Sequence, residues 1–543
     1  MSEHRLGLEQ ATQKWLADIG FVHGDPFEEN DAYFERIDLP SYFHATSAYD
    51  AIVGNPLKPE TKLVFAARGS GKTAHWAMLL HESQPQKSSG RLGRVLAIPH
   101  IRFDQLWELY RSNNRITSMD HVRVLLKYGA RTFLETLLHN AERARKFPAA
   151  DLGRLRWFCD EFAPELLQVD SVKTCLELVL KKFPLTWNAF VQAVEKQALL
   201  RKLKPHTTSP TALFLAKLVD SPSRSLNPQL LTDELLAEFV KLVRHADLDA
   251  VYILIDQLDA TTEAQQNPQL AVTLLEPLVA DLHLMQGDGW AFKIFLPEET
   301  RPFLLKPNTR LGEWMQRHDL RIEWDKDALR EMLHSRLKFF SNEKCASLDT
   351  LSGISNANSL ASDDQVSTEK TNSHSARKPK TIEEAMLDEA DRSPRRLFQF
   401  GKYLFDARVR RYLAETQTAR AKSKEILTWA DWFQAISRFA HDEQLGPMTL
   451  RLDPDSHRIF KGPYPIQLTP KEYDFLKCLD DNKGRCDRKI LVTRVWGPDA
   501  QDDPQMVAQL VKRIRQKIEN DWKKPTHLIT EKGYGFKFNL QAE

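Results

Sequence analysis

The chain has 543 residues, 42% of them hydrophobic, and a formal net charge of +2. This excludes a wholly disordered or fibrous protein and allows several domains at roughly 100–200 residues each. With 76 Lys+Arg against 74 Asp+Glu, bulk charge points to no polyanion, so any such partner must meet a local patch. No run approaches the roughly 18 apolar residues of a membrane span. The opening MSEHRLGLEQ has no apolar stretch, so no signal peptide is expected. Five scattered cysteines without a CxxC argue against disulfides or structural zinc and predict a cytoplasmic location.

In chain order, residues 1–56 form an N-terminal segment. Residues 57–305 read as an α/β core. Its strands are the near-continuous apolar runs LVFAA (63–67), RVLAIPH (94–100), VYILID (251–256) and FKIFLP (292–297), the pattern of parallel strands covered on both faces. A helical insertion at about 101–250 interrupts the core and offers a surface for a protein or nucleic-acid stimulus. Residues 306–345 begin a helical lid. Residues 346–380 are rich in Ser, Asn, Asp and Thr, too polar to offset their ordering entropy, and predict a disordered linker. Residues 381–440 read as lid and connecting helices, and 441–543 as a separate domain of short strands and helices.

AARGSGKT (66–73) follows a buried strand and precedes a helical stretch, the context a phosphate-binding loop needs. Backbone amides of Gly69, Ser70 and Gly71 can wrap a phosphate, helped by the helix N-terminus behind them. Lys72 would reach the β/γ-phosphates and Thr73 would offer a hydroxyl to Mg²⁺. Ala66 stands where the motif has its first glycine. Asp256, ending an apolar run, is placed to hold the Mg²⁺ water shell, and Asp259 or Glu263 to polarise water.

The pair of motifs resembles the additional-strand class of P-loop ATPases, especially the signal-transducing STAND type and its AAA+ relatives, with a NACHT-like hhhhDxxD form. This resemblance implies ATP and Mg²⁺ as cofactors and slow, regulatory hydrolysis; no guanine-reading NKxD is present. It also implies a sensor strand at FKIFLPEETR, bringing Glu298, Glu299, Thr300 and Arg301 towards the γ-phosphate. It makes SPRRL (393–397) a lid motif in which Arg395, or else Arg396, touches the phosphates. Ser393 and Pro394 read equally as an ordinary helix start. Aromatic Tyr42, Phe43 or Tyr49 would close over adenine, or simply pack under the sheet.

The C-terminal IQLTPKEYDFLKCL, RKILVTRVWG, MVAQLVKRIRQKIE and HLITEKGYGFKF resemble the winged-helix effector domain of bacterial OmpR/PhoB-type response regulators. Thr469 and Glu472 form a capping box and Lys532–Phe536 a wing hairpin. In the third helix Val507, Leu510, Val511, Ile514 and Ile518 share an inward spacing. Lys512, Arg513, Arg515 and Lys517 then form the candidate major-groove surface, with Lys532 on backbone phosphate. A solvated charge run is the alternative. Regulators of this type carry a receiver domain with a phosphoacceptor Asp, and nothing in the first 60 residues reads as one. The expectation is an ATP-dependent DNA-binding switch, a transcription regulator whose nucleotide state sets conformation or homo-oligomerisation. The competing expectation is a STAND-like sensor in stress or anti-phage defence.

Overall fold

The computed structural model describes residues 2–352 and 381–540, apart from 30, 85–89, 114, 182–184, 259–266, 306–308, 418–426, 446–449, 454–457, 462–463, 467, 483, 498–503, 520–524 and 532. The linker expected from 346 starts later, since Leu348 and Leu351 are buried in and beside a short turn (Leu348–Thr350) bonded to Glu383; its remainder, 353–380, lies outside the described residues, as do Asp259, Glu263 and Lys532. The chain divides into two compact units, one running to Gln399 and one starting at Phe400.

The first unit is built on five parallel strands: β1 (Lys62–Ala66), β2 (Val95–His100), β3 (Ala250–Ile255), β4 (Trp290–Pro297) and β5 (Asp319–Arg321). Every residue of β3 and β4 is buried, including Lys293 in the otherwise apolar β4. Their order is β2-β3-β4-β1-β5, so β4 lies between the strand that leads to AARGSGKT and the strand that leads to Asp256. All strands being parallel, their C-terminal ends open on one edge. Thus the expected parallel α/β core is present. The short edge strand β5 went unread because DLR carries no apolar run.

The insertion between β2 and β3 is helical and shares one apolar core with the sheet. Its longest helix, Ser118–His139, starts on a Thr117–Asp120 capping box. This helix lies close over β2 because residue 129 is glycine: a Cβ there would sit 3.1 Å from Ile98 and 3.2 Å from Phe239. Phe133 and Phe158 then pack edge-on against Phe239, with centroids 5.9 and 5.4 Å away.

One buried cation gathers the N-terminal segment. Arg336, on helix Lys326–Phe340, is 1% exposed. It forms a two-pronged ion pair with Glu35 (Nη1 to Oε2, 2.9 Å) and donates to the carbonyls of Pro26 and Glu29. Its guanidinium also lies 5.0 Å from the Tyr42 ring centroid and 4.5 Å from that of Phe398. Tyr42 is thereby used in packing, the simpler of its two expected roles.

The second unit begins inside helix Pro394–Gln417, which runs antiparallel to helix Trp429–Leu445. Phe400 packs on Phe439 at 4.1 Å between centroids, and at the other end Arg411 pairs with Asp431 at 2.7 Å. There follow a meander of β6 (Leu450–Asp453), β7 (Arg458–Lys461) and β8 (Tyr464–Ile466), and then helix Pro470–Asp481. After β9 (Arg485–Asp487) come helices Arg488–Trp496 and Pro504–Ile518. β10 (Leu528–Glu531) and β11 (Gly535–Phe538) close the antiparallel sheet β10-β11-β9. Gly484 turns the chain into β9 with φ +77°, and a Cβ there would sit 2.7 Å from the Phe538 carbonyl oxygen.

Arg336→Ala leaves the Glu35 carboxylate buried without its cation, which costs about 3–5 kcal/mol. Urea denaturation of the full chain followed by tryptophan fluorescence should show the first unit's transition moving to lower urea. An unchanged midpoint contradicts the central place given to this pair.

Candidate functional site

The C-terminal end of β1 turns through Gly69 (φ +79°) and Gly71 (φ +86°) straight into helix Lys72–Glu82. Both angles are left-handed and favour glycine. The first amides of a helix have no partner within it, whereas the Ser70 amide donates to the Ala67 carbonyl at 3.2 Å. Thr73 donates its hydroxyl to the Asp256 Oδ2 at 2.8 Å. Asp256 follows β3 and is 2% exposed, so strand order places a hydroxyl and a buried carboxylate side by side. Lys72 Nζ folds back across the loop and donates to the carbonyls of Ala66 (3.0 Å) and Ala67 (3.2 Å).

Three braces of this loop were not read from the sequence. Trp76 donates to the Leu254 carbonyl at 3.2 Å and fastens the helix to β3. Trp324 donates to the Ser70 carbonyl at 3.0 Å. His75 is fully buried, with Nδ1 2.8 Å from the Gly71 carbonyl and Nε2 2.8 Å from the Thr46 hydroxyl. Burial pulls its pKa down to about 4, so the ring is neutral near pH 7. A carbonyl only accepts, so Nδ1 carries the hydrogen and Nε2 accepts from Thr46. For His75 and Trp76 the available signal was position, one helical turn after Gly71; nothing local marked Trp324.

Arg395 lies against the same loop. Its amide donates to the Gly69 carbonyl at 3.3 Å, and a Cβ on Gly69 would come 2.5 Å from the Arg395 Cβ. The Arg396 amide bonds the Ser393 hydroxyl at 3.4 Å, as a capped helix start requires. Arg396 also approaches Asp391 at 3.9 Å. Beyond β4, Arg301 is held by Asp319 at 2.6 Å, Glu298 by Arg321 at 2.8 Å, and Thr300 donates to the Pro297 carbonyl. Arg301 and Glu298 are thus tied to β5.

In the second unit Thr469 and Glu472 form the expected capping box. Glu472 is 1% exposed and Lys517 Nζ is 2.6 Å from its carboxylate. Burial alone would raise the Glu472 carboxyl; the Lys517 ammonium and the Thr469 amide outweigh it and hold it below its usual range. Arg515 donates to the Leu528 carbonyl (2.9 Å) and to the Thr530 hydroxyl (2.8 Å) on β10. These two cations therefore fasten helix Pro504–Ile518 to its neighbours. Lys512 and Arg513 are exposed on that helix, together with Gln509. Gln509 and Arg513 are four apart and share a face, so the outward surface is mixed polar and cationic. Counting charges missed Gln509; reading the complement of the inward set would have found it. At the wing, Arg485 pairs with Glu531 at 2.6 Å and lies 4.4 Å from the half-exposed Tyr534 ring.

Residues 464–538 match the family model described as "Transcriptional regulatory protein, C terminal". They form an OmpR/PhoB-type winged-helix domain. Among similar curated proteins, the sensory transduction protein RegX3 of Mycolicibacterium smegmatis is 40% identical over 99 residues, 18% of this chain and 43% of that protein. The alkaline phosphatase synthesis transcriptional regulatory protein PhoP of Bacillus subtilis is 33% identical over 121 residues, 22% of this chain and 50% of that one. The KDP operon transcriptional regulatory protein KdpE of Escherichia coli is 36% identical over 83 residues, 15% and 37% respectively. The chain thus spans half or less of each of these relatives. No helix among the described residues is long and apolar enough to cross a membrane.

Lys517→Ala strands the buried Glu472 carboxylate and should destabilise the winged helix by about 1–3 kcal/mol, read as a lower thermal midpoint of the second unit. Arg513→Ala, on the exposed face, should leave that midpoint within measurement error. Equal shifts in the two variants contradict the bracing role given to Lys517.

Proposed function

We propose that the chain is a transcription regulator whose winged helix binds duplex DNA under the control of ATP held at residues 66–73. The relatives named above are transcriptional regulatory and sensory transduction proteins, which supports the DNA-binding half. The strand between β1 and β3 is what an additional-strand P-loop core requires, which supports the nucleotide half. The Thr73–Asp256 pair is an oxygen set suited to Mg²⁺, a hard cation that takes hydroxyl, carboxylate and water. Magnesium bound there would supply positive charge against the β- and γ-phosphate oxygens. The loop amides and the helix start orient the phosphates, and Lys72 exchanges its two carbonyl partners for phosphate oxygens.

The observation that carries the coupling is the position of one helix. Its first turn touches the phosphate loop through Arg395 and Gly69, and the same helix continues past Phe400 into the unit that contains the winged helix. A change in the loop on filling thus acts on the first turn of a rod of 24 residues. On the DNA side, Arg513 is suited to guanine and Gln509 to adenine, each read through paired hydrogen bonds in the major groove.

Two measurements test the halves separately. Lys72→Ala should weaken ATP binding at least about tenfold, a loss of roughly 1.4 kcal/mol, while Asp256→Asn should keep binding within a few fold and lose Mg²⁺-dependent phosphate release. Normal turnover in both variants contradicts the nucleotide site. Arg513→Ala, titrated on specific and scrambled duplexes, should lose about 1–3 kcal/mol of discrimination. Equal weakening on both duplexes assigns Arg513 to phosphate instead.

A further inference from the structure

The two antiparallel helices that open the second unit leave a groove on one face. It has a volume of about 420 Å³, within the size range of small-ligand sites. Tyr403, Ala407 and Arg410 line it from helix Pro394–Gln417, spaced four and three apart. Phe433, Gln434 and Arg438 line it from helix Trp429–Leu445. No carboxylate is among its lining residues.

The chemistry of this lining is specific. Phe433 is 62% exposed, a large flat apolar ring left to solvent beside the groove. Ala407 is small and leaves room for a second ring. The basic run 408–411 is divided by its surroundings: Arg408 is buried, Arg411 is paired with Asp431, and Arg410 is exposed with no ion pair among the described residues. Across the groove Arg438 is half exposed, held by Asp406 at 2.9 Å and resting 4.8 Å from the Tyr403 ring centroid. Tyr403 is itself fixed by its hydroxyl on Asp442 at 2.6 Å. The groove therefore offers a stacking surface, the exposed Arg410 guanidinium, the positioned Arg438 guanidinium, and the amide of Gln434, which can both donate and accept. Aromatic faces take bases irrespective of sequence, and guanidinium groups take phosphate in a paired fork.

We propose that this groove is a second nucleotide site, taking a nucleoside monophosphate with its base on Phe433 and its phosphate on Arg410 and Arg438. An acidic peptide would use the two cations but would leave the exposed ring and the Gln434 amide without a role. The site is separate in sequence from residues 66–73, and the proposal does not rest on the reading of that loop.

The test uses the full chain carrying Lys72→Ala, so that the phosphate loop does not contribute. The probe is adenosine monophosphate with a fluorescent ribose label, with guanosine monophosphate and inorganic phosphate as competitors. Saturable binding of one equivalent is expected below about 1 mM, the weak end of specific affinity. Phe433→Ala and Arg410→Ala should each weaken it roughly tenfold or more. Both residues are exposed, so both variants should fold, and an unchanged thermal midpoint checks this. Inorganic phosphate should compete far more weakly than either nucleotide. Absence of saturable binding overturns the proposal, as does binding that ignores both substitutions. Competition by phosphate as strong as by the nucleotides also overturns it, since the groove would then be an anion site without a base.

Discussion

Residue 69 has to be glycine for the loop at 66–73 and helix Pro394–Gln417 to meet. The backbone turns left-handed there, and a Cβ would strike the Cβ of Arg395 at 2.5 Å. Much of the first unit is arranged so that this contact can form. β4 separates β1 from β3 and sets the width of the edge on which the loop and Asp256 stand. Trp76 fastens the helix behind the loop to β3, and Trp324 bonds the loop's Ser70 carbonyl. Phe398, three residues past Arg395, closes over the guanidinium of Arg336, which also collects the N-terminal segment. The loop, the helix start and the buried ion pair therefore belong to one packed arrangement.

The winged helix follows the same logic with a different division of charge. Four cations fall within six positions of helix Pro504–Ile518, yet their surroundings give them separate work. Lys517 compensates a carboxylate that would otherwise be buried alone, and Arg515 bonds the strand leading to the wing. The helix is thereby held at both sides while Lys512 and Arg513 stay on its outer face. An interface that reads base edges needs this rigidity, because a paired contact is lost when the helix tilts.

The strands of the first unit were legible because parallel strands buried on both faces are mostly apolar, as VYILID and FKIFLP are apart from Asp256 and the buried Lys293. The tight turn at 66–73 was legible because its glycines and Lys72 are close in sequence. Likewise, the capping box at Thr469 and Glu472 is a local signal. What stayed hidden depends on chain segments far apart. Nothing in DLR marks β5, whose three residues pair with β1 after more than 250 intervening positions. His75 could not be matched to Thr46, nor Lys517 to Glu472, until the fold brought them together. Spacing along a helix gives the face a cation occupies, but whether a partner waits there is a tertiary fact.

The central claim is that filling the phosphate loop changes DNA binding through Arg395. The most direct measurement is the affinity of the full chain for a duplex enriched from a random pool, taken with ATP, with ADP and without nucleotide, in the wild-type chain and in Arg395→Ala. The account predicts that the ATP and ADP affinities of the wild-type chain differ by a coupling factor of about 5–150. In Arg395→Ala they should converge while ATP still binds. One and the same DNA affinity in all three nucleotide states of the wild-type chain would contradict it.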